Sequence, residues 1–567
     1  MHVRSLGQAL WVLCIATLLS TGCRGAKGSS GSGAPPTTPA DTDTDTDTDA
    51  DVDTDADTDS DADTDTAFPL PLPVAIEWAR EPTPDWQGAV LSIDAPPEAS
   101  LTVRWSDALG HEQLHHPPAG TTSMPVLGLR PDRTYRLTVE AEQAGALGSA
   151  ELSLTSQPLP ADLPQVDLVV GDDAEPFFVM VPLSPVGDRP EPSDVLVVLD
   201  EAGEVVFWQT FAGRLRDARP YDVGYDVLVG NLYPVIAHMS WSGEVLGGWQ
   251  SPDDPDKADP ALATADYSGR FHHDFLRRDD GTAYVLSKAT AADVPYPTDY
   301  ELSGLRTADV SADIVLHLAD DGTLLDSLRL DDVLSTLRIG YGGLQRTNLE
   351  GEFDWTHANA VVEHPDGDLL LSLRHQDAIV KVDPVTGALD WILGNHDNWP
   401  AELQPYLLAP DASVTWPFHT HGVKVRADGV ITLFDNGNFR DTPGPDTDPL
   451  EDVETWSRVV GFAVDPIART VTQAFEHEPE QRTFAYAVGD CDPLSNGHTI
   501  GHFGRIIVED GQYNDDLGRS VTTIRIIEWA PDGTEVWHAH LFNDPAVFPE
   551  GWYAYRSERF ESFYAYQ

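Results

Sequence analysis

Cysteine is nearly absent from this chain of 567 residues, which contains only Cys14, Cys23 and Cys491. The first two fall at the head of the sequence. The folded body is left with one thiol and no disulfide framework, whatever compartment it occupies. Basic side chains are also scarce, with 34 Lys and Arg against 94 Asp and Glu and a net charge of −60. A surface of that sign repels phosphate backbones and excludes nucleic acid as a partner. Past the N-terminal segment no run of ~18 apolar residues occurs, so no helix is expected to span a membrane. No HExxH or paired-cysteine motif is present to hold zinc. No Gly-rich loop opens a helix to hold a nucleotide phosphate. Aromatic residues, by contrast, are plentiful, with 15 Trp, 16 Tyr and 19 Phe. They supply material for a large folded body, and the length calls for more than one domain.

The head of the sequence reads as an export signal. Arg4 supplies the positive charge, Leu6 to Leu19 form an apolar stretch, and Leu19-Ser20-Thr21-Gly22-Cys23 ends it in small residues. This is similar to a bacterial lipoprotein signal, with Cys23 the lipidated first residue of the mature protein. Arg24 stands where an Asp would retain the protein at the inner membrane. The expectation is an exported lipoprotein anchored to the outer membrane, at the periplasm or cell surface, and held by lipid without crossing. From Asp41 to Thr66 nearly every second residue is Asp. Such a run has no core to bury and repels itself into an extended tether, so residues 24–67 are expected to be disordered. No Gly turn shapes it into a calcium loop.

Residues 68–160 are expected to form a β-sandwich. Val74–Trp78, Ala89–Ile93 and Leu101–Trp105 are short β-rich runs between Pro and polar turns. Leu129-Arg130-Pro131 followed by Tyr135 resembles the fibronectin type III signature, in which a tyrosine locks a sheet corner. Residues 161–567 are too many for one sandwich. They repeat short strands with turns at Gly281, Gly322, Gly367, Gly429 and Gly533, each preceded by Asp. The predicted fold is therefore all-β, a β-propeller of six four-stranded blades preceded by the sandwich. His273, Asn359 and His421 each lie eight residues before a turn glycine (281 − 273, 367 − 359, 429 − 421). That register predicts equivalent positions on inner strands. Strand alternation would add His357 beside Asn359 and His419 beside His421. Trp355 and Trp391 are expected in the core, and His538 and His540 on the surface.

Three clusters carry the chemistry: Phe271-His272-His273-Asp274; Asp354-Trp355-Thr356-His357-Ala358-Asn359 with Arg374-His375-Gln376-Asp377; and His419-Thr420-His421-Gly422 with Leu433-Phe434-Asp435-Asn436-Gly437. With Asp390-Trp391 between them and Tyr555-Arg556-Ser557 after them, this order resembles the arylsulfate sulfotransferase family. The resemblance covers roughly 163–567 and is densest from His272 to Asn438. It implies a propeller enzyme that moves a sulfuryl group from an aryl sulfate ester to a phenol through a histidine, with no nucleotide donor and no cofactor. By motif position His421 matches the nucleophile, and His273, His357 and Arg374 match the groups around the transferring sulfuryl. Asn359 and His419 are expected at the substrate. The family pattern places Asp directly after the nucleophile, where this chain has Gly422.

A metal on His419-x-His421 is the rival chemistry. Arg374 in the same constellation opposes a cation, and no metal is assigned. The alternative to an enzyme is a non-catalytic propeller that binds a ligand or partner at the cell surface.

Overall fold

The protein is described from a computed structural model covering residues 70–567, apart from 172–176, 187–192, 222, 255–258, 301, 342, 345–346, 349–350, 441–454, 510–511, 514–521, 544–550 and 565–567. The expected signal segment, Cys23 and the acidic tether lie outside the described residues. Among the described residues no helix is long and apolar enough to cross a membrane.

Residues 75–155 fold into two packed sheets. One joins Ala75–Arg80, Ala89–Asp94 and Ser123–Val126. The other joins Glu112–His115, Ser100–Asp107, Thr134–Gln143 and Ala146–Thr155. Alternation does the sorting here: Leu101, Val103 and Trp105 face inward with Tyr135, Leu137 and Val139, while their neighbours face out. The Arg130 backbone N–H donates to the Tyr135 hydroxyl at 2.8 Å. A tyrosine near the start of its strand thus ties down the preceding turn, as a tyrosine corner does.

The rest of the described chain forms six further sheets, which are the six blades of a propeller. Their inner strands follow in chain order. Leu215–Tyr221 opens blade 2, Phe271–Arg277 blade 3, Ala358–Glu363 blade 4, His421–Val425 blade 5 and Asp490–Pro493 blade 6. Blade 1 begins with Phe178–Pro185, and Trp552–Ala554 and Glu558–Phe560 complete it from far downstream. Blade 6 takes its outermost strand from Gln165–Val170. Neighbouring inner strands pack on one another around the axis.

Blade strands are sandwiched between adjacent blades, so both faces are buried and the sequence reads as unbroken apolar runs. Leu369–Leu373 and Asp194–Asp200 are buried throughout. The Asp-Gly turns close the hairpins, with Gly367 and Gly429 at φ 94° and 84°, where a side chain would be strained. Trp355 and Trp391 are core residues as expected. His538 and His540 are not surface residues: both are half-buried on Glu535–Phe542, because Gln165–Val170 covers that edge.

Charged groups fill part of the propeller axis. Arg219 and Arg556 both reach Asp217 and Asp274, and Lys424 Nζ lies 2.9 Å from Asp492. These groups come from different blades and cross-link the inner strands.

Candidate active site

A cavity of about 300 Å³ opens at one end of the axis. His273, His357, Arg374 and His421 all line it, so four positions separated by up to 148 residues (421 − 273) meet at one wall. The aromatic spacing is close: His273 and His357 ring centroids are 4.6 Å apart, and Tyr555 lies 5.9 Å from His273 and 6.0 Å from His421.

Regular alternation would not aim these rings together, and the backbone departs from it. His273 and His357 hold φ 54° and 50°, and Gly422, next to His421, holds 56°. Pairing slips between Phe271 and Phe275, between Ala358 and Ala360, and between His421 and Lys424. A left-handed non-glycine residue costs on the order of 1 kcal/mol and persists only where surrounding structure enforces it. The bulges also correct the expected pairing of faces. Asn359 and His419 are fully buried and do not line the cavity. Asn359 Nδ2 instead donates to the Thr420 carbonyl at 2.7 Å, bracing the residue before His421. His419 Nδ1 pairs with Asp377 Oδ1 at 2.9 Å. The metal geometry imagined for His419 and His421 does not form, since the two rings serve different neighbours.

Each imidazole at the cavity is held in one orientation. The Asn436 amide donates to Ala485 O and Val488 O at 2.8 and 2.9 Å, which leaves its Oδ1 facing His421 Nδ1 at 2.6 Å. An oxygen acceptor there fixes the proton on Nδ1 and the lone pair on Nε2. Burial pushes the His421 imidazole well below its ordinary value, the Arg374 charge adds to that, and Asn436 pulls the other way. His421 is therefore neutral across ordinary pH.

Gly422 is favoured as it stands. At φ 56° a Cβ there would also lie 2.6 Å from the Asp490 Cα, backbone that cannot swing aside, so a side chain after His421 is disfavoured, and Asn436 supplies the ring's anchor from the neighbouring strand. The Cys491 thiol donates to Gly422 O at 3.2 Å.

His357 Nδ1 donates to Asp354 Oδ2 at 2.5 Å. Burial lowers the His357 imidazole and Asp354 pulls it back up. His375 stands behind: its Nδ1 donates to Asp354 O at 2.6 Å, and its Nε2 accepts from Arg374 Nη1 at 2.9 Å. The turn Arg374–Gln376 is itself tied to the His357 loop, with Arg374 N to His357 O at 3.2 Å and His375 N to Thr356 O at 3.1 Å. His272 Nδ1 lies 2.8 Å from His273 Nδ1, and the His272 ring stands beside the buried Asp313 carboxylate, 3.2 Å from Nε2. Asp354, His357 and His375 are close enough together to share a metal ion. The lone pair of His375 is already committed to a guanidinium, so the set fits an ion poorly.

Sequence reasoning missed the far wall: Arg214, Arg216 and Arg505 with Tyr486, Tyr553 and Tyr555. Only Tyr555 fell in a recognised motif. Arg214 and Arg216 open one strand and Arg505 lies on another nearly 300 residues on (505 − 216 = 289), with no recognised motif around any of the three. With Arg374 they make four guanidiniums around a cavity with no carboxylate among its described lining residues, in a chain of net charge −60. Screening confines the bulk charge to ~8–10 Å, so the local guanidiniums set the potential inside.

The axial cavity of the propeller thus gathers three imidazoles and four guanidiniums. Residues 262–540 match the family described as Arylsulfotransferase (ASST), which supports a transferase. No curated protein sequence matches the chain significantly. Among solved structures, a protein of unknown function from Bacteroides caccae is similar over 68% of this chain and 100% of its own, at 12% identity and a TM-score of 0.36. A two-domain fibronectin type III segment of chicken tenascin is similar over 29% of this chain and 97% of its own, at 13% identity and a TM-score of 0.14.

Proposed function

We propose that the protein is an aryl sulfotransferase that passes the sulfuryl group from an aryl sulfate ester to a phenol through His421. The observation that carries this reading is the Asn436 contact, which leaves the Nε2 lone pair of a neutral His421 at a cavity it shares with Arg374. In the first half-reaction Nε2 attacks sulfur, an N–S bond forms, and the S–O bond to the arene breaks with its electron pair leaving on the phenolate. His357 can relay a proton from solvent to that oxygen, with Asp354 stabilising the imidazolium formed in passing. Arg374 offsets charge on the sulfuryl oxygens. In the second half-reaction a phenol loses its proton to His357 and its oxygen attacks sulfur. The N–S electron pair then returns to Nε2. The sulfurylated ring is cationic, which makes its nitrogen a ready leaving group.

The test uses a chromogenic aryl sulfate with and without a phenol acceptor. Acceptor-dependent release should fall at least about a thousandfold in His421→Ala. Mass spectrometry should find one sulfuryl group on His421 after exposure to donor alone. A folded protein that turns over no ester with any acceptor would instead be the non-catalytic binding propeller.

A further inference from the structure

The transfer reaction leaves the far wall of the cavity unused. Arg214 and Arg216 stand at the start of blade 2's inner strand, and Arg505 lies on Thr499–Glu509 of blade 6. Blade 2 is three blades from blade 5 in a ring of six, so the strand of Arg214 and Arg216 lies across the axis from that of His421, while Arg216 also stands near enough to His273 for its charge to lower that imidazole. Arg214 Nη1 donates to the Tyr553 hydroxyl at 2.7 Å. The Arg214 and Arg505 guanidiniums both sit against the Tyr553 ring, 5.6 and 5.5 Å from its centroid. Arg216 Nη2 reaches a backbone carbonyl, Asn231 O, at 3.2 Å.

Among the described residues none of these three has a carboxylate partner, and the Nε atoms of Arg216 and Arg505 are buried with no hydrogen-bond acceptor. Elsewhere arginines find acids, as Arg219, Arg277, Arg458 and Arg556 do. Three like charges gathered in a half-buried pocket repel one another and lose hydration, a cost an incoming anion would reverse. Burial and the neighbouring Arg214 charge depress Arg216, in keeping with that unmet demand. The sulfuryl group is already met by Arg374 on the opposite wall, and Tyr486 and Tyr553 provide ring surfaces beside the far guanidiniums.

We propose that Arg214, Arg216 and Arg505 form a second anion subsite, and that the preferred substrate is an arene carrying a second acidic group, a carboxylate or sulfonate, remote from the transferred sulfuryl. The proposal rests on the sulfuryl-transfer reading above. A cavity of about 300 Å³ suits one ring with two substituents.

The experiment compares kcat/KM for 4-carboxyphenyl sulfate and 4-methylphenyl sulfate with one neutral acceptor, in the full chain. The carboxylated ester should be favoured about tenfold or more, and the ratio should fall by a similar factor in Arg216→Met/Arg505→Met. A wild-type ratio near one overturns the proposal without any variant. So does a double variant that slows both esters in parallel, because the arginines would then serve the sulfuryl group itself. Calorimetric titration of 4-sulfobenzoate, which has no ester to transfer, separates the two readings. Arginine-dependent binding with no turnover of any ester would sink the transfer reading and leave the subsite standing. Turnover with no such binding would do the reverse.

Discussion

Two arcs of one ring face each other across the cavity and are made of different materials. Blades 3 to 5 bring imidazoles at left-handed bends, each ring met by a polar side chain: Asn436 for His421, Asp354 for His357, and His272 for His273. Blades 6, 1 and 2 bring guanidiniums and tyrosines whose partners are aromatic rings or backbone carbonyls. The first arc specifies direction and protonation, which bond-making requires. The second supplies charge and surface, which are enough to choose a substrate.

After the loss expected in His421→Ala, the next largest effect tests that division directly. On the proposed transfer, Arg374→Met should lower kcat roughly a hundredfold or more, and equally for charged and neutral esters, because it would remove a donor to the sulfuryl group. A changed preference between the esters, measured as a ratio of kcat/KM, would break the two-arc description. Asn436→Ala should act next, with a drop in kcat of about tenfold and little change in KM. The His421 ring keeps its place but loses the acceptor that fixes its tautomer. Rapid-quench measurement of the first turnover would locate the loss in the donor half-reaction. The smallest effect is on stability. Burial holds His273, His375 and His421 below their ordinary value of 6.5. The unfolded chain therefore takes up protons near pH 6.5 that the folded protein refuses. Their contribution is complete above that pH and is lost as pH falls through it toward the folded values. Urea unfolding midpoints should be lower at pH 5 than at pH 7.5, and guanidiniums of the second arc add nothing to that slope.

The same division explains what could be read from the sequence. A fixed imidazole needs several neighbours close along the chain, so His357 came with Asp354 and Arg374, and His421 came with Asn436. Those strings were legible, as were the Asp-Gly turns that count out the blades. The even spacing of His273, Asn359 and His421 was legible too and partly misleading. Pairing slips at different points in the three blades, so blade 4 presents His357 where spacing predicted Asn359. Arg214 and Arg216 share a strand face but fell in no recognised motif, and only the closing of the ring brings Arg505 beside them.

The seam in blade 1 has a consequence for biosynthesis. Phe178–Pro185 emerges early from the ribosome, yet the strand that completes its sheet, Trp552–Ala554, is translated after every other blade. Tyr553 and Tyr555 arrive on that same late segment. A nascent or C-terminally clipped polypeptide thus holds all its histidines but no finished chamber around them, and competence for chemistry comes with the final turn of assembly.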